Sequence, residues 1–147
     1  MKAVVSRVDS ARCEVDGQVT GQIGPGLLVY VGVVRGDDER DADWLADKLT
    51  ALRVFPDEQG RMNRSVADVG GALLLNPNFT LAGRTRKGTR PSFTDAAPPE
   101  QARPLFDCLV RRCVRVVPTE TGRFGAHMVI HSSADGPVTL TLDNRLR

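Results

Sequence analysis

The spacing of apolar residues changes along this chain, and the order of the changes limits the folds it can adopt. Alternating or continuous apolar segments fill residues 3–33, with turn signals at Asp16-Gly17 and Gly24-Pro25-Gly26. Alternation is typical of half-buried strands, and a continuous run such as Leu27–Val33 is typical of a strand at the centre of a sheet. We therefore predict strands over residues 3–8, 13–15, 19–23 and 27–33.

Two later segments have helical spacing instead. From Asp37 to about Arg53 the apolar residues recur three and four apart, which places them on one face of a helix, and Asp37 and Asp38 are suited to cap its start. Pro98-Pro99 can open a second helix, because proline is tolerated in a first turn. The face of that second helix comprises Ala102, Leu105, Phe106, Leu109, Val110 and Cys113.

The remaining apolar segments predict more strands. Between the helices, Ala72–Leu75 and the following Asn76–Leu81 favour strand on both sides of Pro77, which must interrupt the pairing because proline has no backbone N–H. After the second helix, strands are predicted over residues 114–117, 124–130 and 138–142. This order of β-rich, helix, β, helix and β-rich segments indicates one mixed α/β domain over residues 1–147.

Composition limits the class and the compartment. A chain of 147 residues and 16.0 kDa fits one domain, and no apolar run approaches the roughly 18 residues that cross a bilayer. The three cysteines are odd in number and form no Cys-x-x-Cys pair, so we interpret them as packing residues and expect a cytoplasmic protein. A net charge of +2 is too weak to indicate a nucleic-acid partner, so any RNA partner must be argued from local features.

The usual catalytic motifs are absent: the chain has no phosphate-binding loop, no Gly-x-Ser-x-Gly and no His-Glu-x-x-His. His127 and His131 would share one face of the predicted strand, and with Cys108 and Cys113 they could form a metal site. Without close-paired spacing, separate roles are the favoured interpretation. We expect neither a metal nor another cofactor.

Several stretches, taken together, point to a known family. They are the opening Met1–Val8, the segment Asn76–Leu81, the loop Lys87–Phe93, Arg123-Phe124-Gly125 and Asp135–Thr139. In this order and spacing they resemble the D-aminoacyl-tRNA deacylases along virtually the whole chain. The resemblance implies a homodimer whose β-rich, barrel-like sheet is flanked by two helices. It also implies hydrolysis of mischarged aminoacyl-tRNA, preferably D-aminoacyl-tRNA and glycyl-tRNA, in translation quality control.

The two family signatures are only partly kept. The first reads Ser-Gln-Phe-Thr-Leu in the family, and here Pro77 replaces Ser and Asn78 replaces Gln. The second reads Asn-x-Gly-Pro-Val-Thr, and here Ala134 replaces Asn. The resemblance implies catalytic roles for Asn78, Phe79 and Thr80. It implies substrate-binding roles for Arg7, Pro77, Phe124, Met128, Gly136 and Pro137.

The resemblance implies that Gly136-Pro137 has a cis peptide and reaches into the partner subunit's pocket, where main chain excludes L-amino acids. Arg7 matches the family arginine thought to hold this loop. Taken alone, the residues favour a tight turn and an ordinary strand arginine. Pro77 resembles the animal-type relative, which has a trans Gly-Pro peptide and removes L-amino acids. An inactive homologue that binds aminoacyl-RNA is a further alternative.

Catalysis in the family is thought to use the 2′-hydroxyl of the terminal adenosine to activate water, while main-chain amides stabilise the oxyanion. Pro77 cannot donate, so the amides of Asn78 and Phe79 are the expected donors. Thr80 is either a nucleophile or a structural strand residue, since no base lies near it in sequence. The basic loop Arg84–Arg90 is either a solvated loop or a phosphate contact. The second interpretation makes Arg86, Lys87 and Arg90 ligands of the tRNA acceptor end.

Overall fold

A computed structural model describes residues 1–147, and it contains eight strands and two α-helices. The strands are β1 Lys2–Val15, β2 Gln18–Ile23, β3 Gly26–Gly32, β4 Phe55–Pro56, β5 Met62–Arg64, β6 Ala72–Pro77, β7 Thr119–Thr121 and β8 Val129–Asp143. The helices are α1 Glu39–Ala51 and α2 Pro99–Val114, with short 3-10 helices at Phe79–Ala82 and Asn144–Leu146. The predicted mixed α/β domain is confirmed. No helix of this structure combines the length and the apolar character that crossing a membrane requires.

Strand β1 organises the main sheet, whose order is β2-β1-β3-β6-β7 with β8 also paired to β1. Its first half pairs antiparallel with β3, its second half pairs with β2, and almost its whole length pairs with β8. Strands β4 and β5 form a separate small hairpin. The main sheet curves into the barrel-like form that the resemblance implied.

Both helices are crossovers between parallel strands. Helix α1 lies between β3 and β6, and α2 lies between β6 and β7; both strand pairs are parallel. Gly26 lets β3 approach β6 closely, because a Cβ at this residue would lie 1.9 Å from the Ala72 carbonyl oxygen. The two helices pack on each other, and their apolar faces join the sheet in a core of 24 buried residues.

The cysteines have the packing role predicted for them. All three are free and buried, Cys108 and Cys113 in the main core and Cys13 in a second apolar cluster of six residues. Burial, with a smaller contribution from the charge of Asp47, raises the pKa of the Cys113 thiol to about 12. This thiol therefore stays protonated at neutral pH.

Two aspartates at the start of α1 have different structural roles. Asp38 is the N-cap, since its carboxylate accepts from the Arg40 N–H at 2.8 Å while Asp41 accepts from the Asp38 N–H at 2.9 Å. The prediction that the helix begins at Asp37 is wrong, because α1 begins at Glu39. Asp37 is buried, and its carboxylate accepts from the Val34 N–H at 2.6 Å, from the Asn144 amide at 3.1 Å and from the Met1 amino group at 2.7 Å.

Four of the predicted strands differ from those of the structure. The predicted strands 3–8 and 13–15 are one strand, because β8 pairs across the polar residues between them. The predicted strand 114–117 is instead the end of α2 and a turn, and β7 begins at Thr119. The predicted strand 138–142 is part of the longer β8.

Two further predictions fail where the backbone leaves the extended conformation. Residues 124–128 precede β8 rather than forming its start, since Gly125 has a φ of +76°, in the left-handed region. His127 therefore does not share a strand face with His131, which lies 3.4 Å from Glu14. Phe79–Leu81 form a 3-10 helix instead of a strand.

Candidate active site

The end of β6 shapes the first signature. Pro77 is the last residue of the strand and lies opposite Val31 of β3. The Asn78 N–H makes one more bond to this strand, donating to the Val31 carbonyl at 2.7 Å, and the chain then turns into the 3-10 helix. The backbone N–H of Asn78 is thus already hydrogen-bonded to Val31, and the expectation that it could donate to substrate is wrong.

The next two amides are free. A helix leaves its first N–H groups without internal acceptors, and neither the Phe79 N–H nor the Thr80 N–H donates to any group of the protein. Phe79 itself is 59% exposed and lies at the surface of the site. The structure therefore offers adjacent main-chain donors at Phe79 and Thr80.

Two clefts meet at this segment, and Pro77, Asn78, Phe79 and Gly125 line both of them. The first, which we call the apolar cleft, has a volume of about 400 Å³. Its other walls include Val33, Phe93, Ala97, Ala102, Phe106 and Phe124. The second, the polar cleft, has about 380 Å³, with walls that include Tyr30, Asn76, Thr80, His127 and Met128.

Aromatic rings define the apolar cleft. Phe79 and Phe93 meet edge to face with their ring centroids 5.3 Å apart, and Phe106 and Phe124 are 6.4 Å apart. The Arg103 guanidinium lies 6.0 Å from the centroid of the Phe124 ring, within the range of a cation–π interaction. Phe124, which the resemblance assigned to substrate binding, thus has a fixed position in the wall.

Thr80 has no base. Its hydroxyl donates to the side-chain oxygen of Asn78 at 2.5 Å, and a carboxamide does not remove a proton at neutral pH. His127 lines the same cleft but makes no hydrogen bond to Thr80. Because a threonine hydroxyl needs an adjacent base to attack, this geometry favours the structural interpretation of Thr80.

The second signature lies in a bulge of β8. Ser6 pairs with Thr139 and Val8 pairs with Ala134, so residues 135–138 stand opposite Arg7 alone and leave the ladder. The Gly136-Pro137 peptide in this bulge is cis. A Cβ on Gly136 would lie 2.4 Å from the Val138 nitrogen, so only glycine fits there.

Arg7 holds one side of the bulge. Its Nε lies 3.0 Å from the Asp135 carboxylate and also donates to the Asp135 carbonyl at 3.2 Å, while Nη1 donates to the Val54 carbonyl at 2.6 Å. Arg7, Gly136 and Pro137 line neither cleft. Within one chain the structure therefore does not bring the two signatures together.

The basic loop begins beside the apolar cleft. Arg84 and Ser92 exchange backbone hydrogen bonds, and the Arg84 guanidinium pairs with the Asp95 carboxylate at 2.5 and 2.8 Å. Phe93, directly after this closure, lines the cleft. The side chains of Arg86, Lys87 and Arg90 are exposed and form no ion pair, so three cations remain available near the cleft.

Comparison with known proteins identifies the family of this chain. The family described as D-Tyr-tRNA(Tyr) deacylase matches residues 4–143. This chain belongs to that family. D-aminoacyl-tRNA deacylases from Kosmotoga olearia and Geobacter sulfurreducens are 50% and 51% identical to it, over 99% and 100% of this chain and 98% and 97% of theirs.

Solved structures agree with the fold of this deacylase family member. The structure of a c-Myc DNA Unwinding Element Binding Protein has a TM-score of 0.93 and 35% identity, and the match covers 98% of this chain and 99% of that one. A probable eukaryotic D-amino acid tRNA deacylase has a TM-score of 0.82 at 15% identity, over 96% and 97% of the two chains, which shows the fold alone.

Sequence reasoning did not find several walls of the two clefts. Tyr30 and His127 came from segments interpreted as strands, and Ala102 and Phe106 came from a helix face interpreted as core. Phe93 lies in the Lys87–Phe93 segment that carried the family resemblance, but the sequence assigned it no role. The only available signal was polarity within apolar runs, as at Tyr30 and Asn76, because the clefts form between elements that are distant in sequence.

Asn76 is the most unusual of these residues. It is 0% exposed, and neither its amide nitrogen nor its amide oxygen has a hydrogen-bond partner. Gly122 covers the carboxamide beside the Met128 sulfur, since a Cβ on Gly122 would lie 2.6 Å from both the Asn76 oxygen and that sulfur. A buried polar group left without a partner costs about 1–3 kcal/mol.

We predict that Asn76→Leu, which has nearly the same volume, increases the free energy of unfolding by about 1–3 kcal/mol because it removes this unpaired group. Urea denaturation followed by circular dichroism measures the change. The exposed Gln59→Leu, which changes a side chain without hydrogen bonds to the rest of the protein, is the control and should stay within about 0.5 kcal/mol of the unmodified protein. A less stable Asn76→Leu protein would mean that the carboxamide is satisfied in solution.

Proposed function

We propose that this chain hydrolyses the ester bond of mischarged aminoacyl-tRNA in the cytoplasm, with D-aminoacyl-tRNA and glycyl-tRNA as preferred substrates, and releases the amino acid and tRNA. The observation that carries this proposal is the pair of free amides at Phe79 and Thr80, placed where the two clefts meet. Relatives about half identical over their full length carry the name D-aminoacyl-tRNA deacylase, which supports the same reaction.

The amides act as the oxyanion hole. When water attacks the ester carbonyl, its oxygen gains a negative charge, and donors that are already oriented stabilise that charge without reorganising. Phe79 N–H is the principal donor and Thr80 N–H the second. Asn78 serves as a positioning residue, because its backbone fixes the turn at Val31 and its side chain holds Thr80.

Water is the nucleophile in this proposal, and the 2′-hydroxyl of the terminal adenosine assists it. The absence of a base beside Thr80 supports this assignment. An aminoacyl ester is already activated, so positioning and charge stabilisation supply much of the rate increase.

Replacing the donor tests the oxyanion hole directly. Phe79→Pro deletes the N–H, and proline suits the first residue of a helical turn that follows Asn78 at ψ 89°. We expect a fall in kcat of about 10²–10³-fold, measured by single-turnover release of the amino acid. Phe79→Ala removes the same ring but keeps the N–H, and it is the matched control. Equal losses in both variants would contradict the assignment.

A companion variant addresses Thr80. Thr80→Val keeps the branched shape and deletes the hydroxyl, so a structural threonine should lose no more than about tenfold in kcat. A loss as large as that of Phe79→Pro would restore Thr80 as the nucleophile.

Selectivity in this proposal depends on a second copy of the chain. The bulge Asp135–Val138 leaves the ladder and lies outside both clefts, so it can act on substrate only in a partner's site. Strand β8 supports such a dimer, since it pairs only with β1 and none of its fifteen residues is buried. Val129 and Leu140 in this strand are 48% and 40% exposed. An open edge with exposed apolar side chains is suited to a partner.

Charge on this surface should separate the dimer. We expect the unmodified protein to have twice the chain mass of 16.0 kDa in light scattering and Leu140→Glu to move towards a single chain with loss of activity. Val116→Glu, at a residue 57% exposed outside β8, should stay dimeric and active. A fully active single chain would exclude a cross-subunit role for Gly136-Pro137.

The substrate assay tests the function itself. We expect the purified protein to release D-tyrosine and D-alanine from their tRNAs at least tenfold faster than the L forms, because main chain excludes the L side chain sterically. Equal or faster hydrolysis of L-alanyl-tRNA would favour the relative that acts on L-amino acids, with which Pro77 agrees. Binding without hydrolysis of any substrate would favour the inactive homologue.

A further inference from the structure

Two exposed arginines outside the basic loop lie in contact with each other. Arg35 follows β3, and Arg145 lies in the short 3-10 helix after β8. The Arg145 guanidinium donates from Nη2 to the Arg35 carbonyl at 2.8 Å, which holds the two residues together. Neither guanidinium forms an ion pair. Their charges are therefore available to an external anion.

Hydrogen bonds connect this pair to the basic loop. The Arg35 N–H donates to the Asp95 carbonyl at 2.9 Å, and the Arg35 Nε donates to the Thr94 carbonyl at 2.8 Å. Asp95 also pairs with Arg84 at the base of the loop. The segment from Ser92 to Ala97 thus has the loop at one end and Arg35 beside it, while Phe93, Ala96 and Ala97 line the apolar cleft.

Unlike Arg35 and Arg145, the basic side chains next to Arg145 form ion pairs with carboxylates. Arg147, two residues after Arg145, pairs with Asp41, and Lys2 pairs with Asp143, two residues before Arg145. In contrast, Arg35 and Arg145 form no ion pair, and the Asp95 carboxylate beside them is already occupied by Arg84.

We propose that Arg35 and Arg145 extend the basic loop into one cationic track that binds phosphates of the double-stranded acceptor stem of tRNA. The proposal rests on the proposed function, which places the 3′ end at the clefts. Cations next to the clefts then meet the single-stranded end, and cations further along the track meet the duplex. Arginine suits this role because its fork of N–H donors matches phosphate oxygens.

The test measures binding of an acceptor-stem minihelix that carries a non-hydrolysable D-aminoacyl amide, over a series of salt concentrations. The variant combines Arg35→Gln and Arg145→Gln. Each lost phosphate contact lowers the slope of log affinity against log salt by about one, so we expect a decrease of about two. The matched control combines Arg111→Gln and Arg115→Gln, which removes the same charge from exposed, unpaired arginines at the far end of α2 and should keep the slope of the unmodified protein.

A second probe separates the stem from the 3′ end. An aminoacylated CCA trinucleotide has no duplex phosphates, so the Arg35 and Arg145 variant should lose much less affinity for it than for the minihelix. Equal losses for the two probes, or an unchanged salt slope with the minihelix, would overturn the proposal. Thermal denaturation checks folding, and Arg35→Lys with Arg145→Lys should recover most of the slope, because counterion release depends on charge.

These measurements stay distinct from the proposed function. Binding of a non-hydrolysable minihelix does not require turnover, so the salt slope decides the track even in a protein that hydrolyses nothing. Conversely, hydrolysis of D-aminoacyl-tRNA by the unmodified protein together with an unchanged slope in the variant would support the esterase and reject the track.

Discussion

The two-sided pairing of β1 is the constraint on which the rest of the structure depends. Its buried side chains begin at Ala3 and Val5 in the main core and continue at Val8, Ala11 and Cys13 in the second cluster. Alternate residues of a regular strand face the same side, so burial at residues 3 and 5 would be followed by burial at residue 7. Burial of Val8 instead requires an irregularity in the strand. The register shifts between β1 and β8 occur on both sides of Val8. The same irregularity that moves the strand from one cluster to the other therefore expels residues 135–138 from the ladder.

The site is a consequence of how β6 ends. A strand that continued beyond Pro77 would use the amides of Phe79 and Thr80 in the sheet. Because the last bond to β3 comes from Asn78, the chain turns into a 3-10 helix and leaves those amides free at the edge of two clefts. The donors thus need no dedicated side chain, which is why no catalytic motif of the usual kinds appears in the sequence.

The spacing of apolar residues correctly predicted those helices and strands that bury only one face. The apolar face of α1 was read correctly because Ala42, Leu45 and Leu49 are fully buried at helical spacing. The strand prediction failed over residues 124–128, because Phe124, Gly125 and Met128 line the clefts around a glycine turn instead of pairing in the sheet. The free amides and the unpaired Asn76 could not be predicted, since hydrogen-bond partners are set by tertiary contacts. The family resemblance supplied residues of the site, but only the three-dimensional structure shows that its two signatures lie apart in one chain.

The altered first signature is compatible with catalysis once the backbone is considered. Proline at residue 77 removes a hydroxyl and an N–H, yet this residue ends β6, where the sheet needs no further donor from it. Asn78 is shorter than the family glutamine, and its carboxamide oxygen accepts from the Thr80 hydroxyl. Both changes leave the Phe79 and Thr80 amides free. A signature that acts through main chain can therefore change its side chains while keeping the geometry that stabilises an oxyanion.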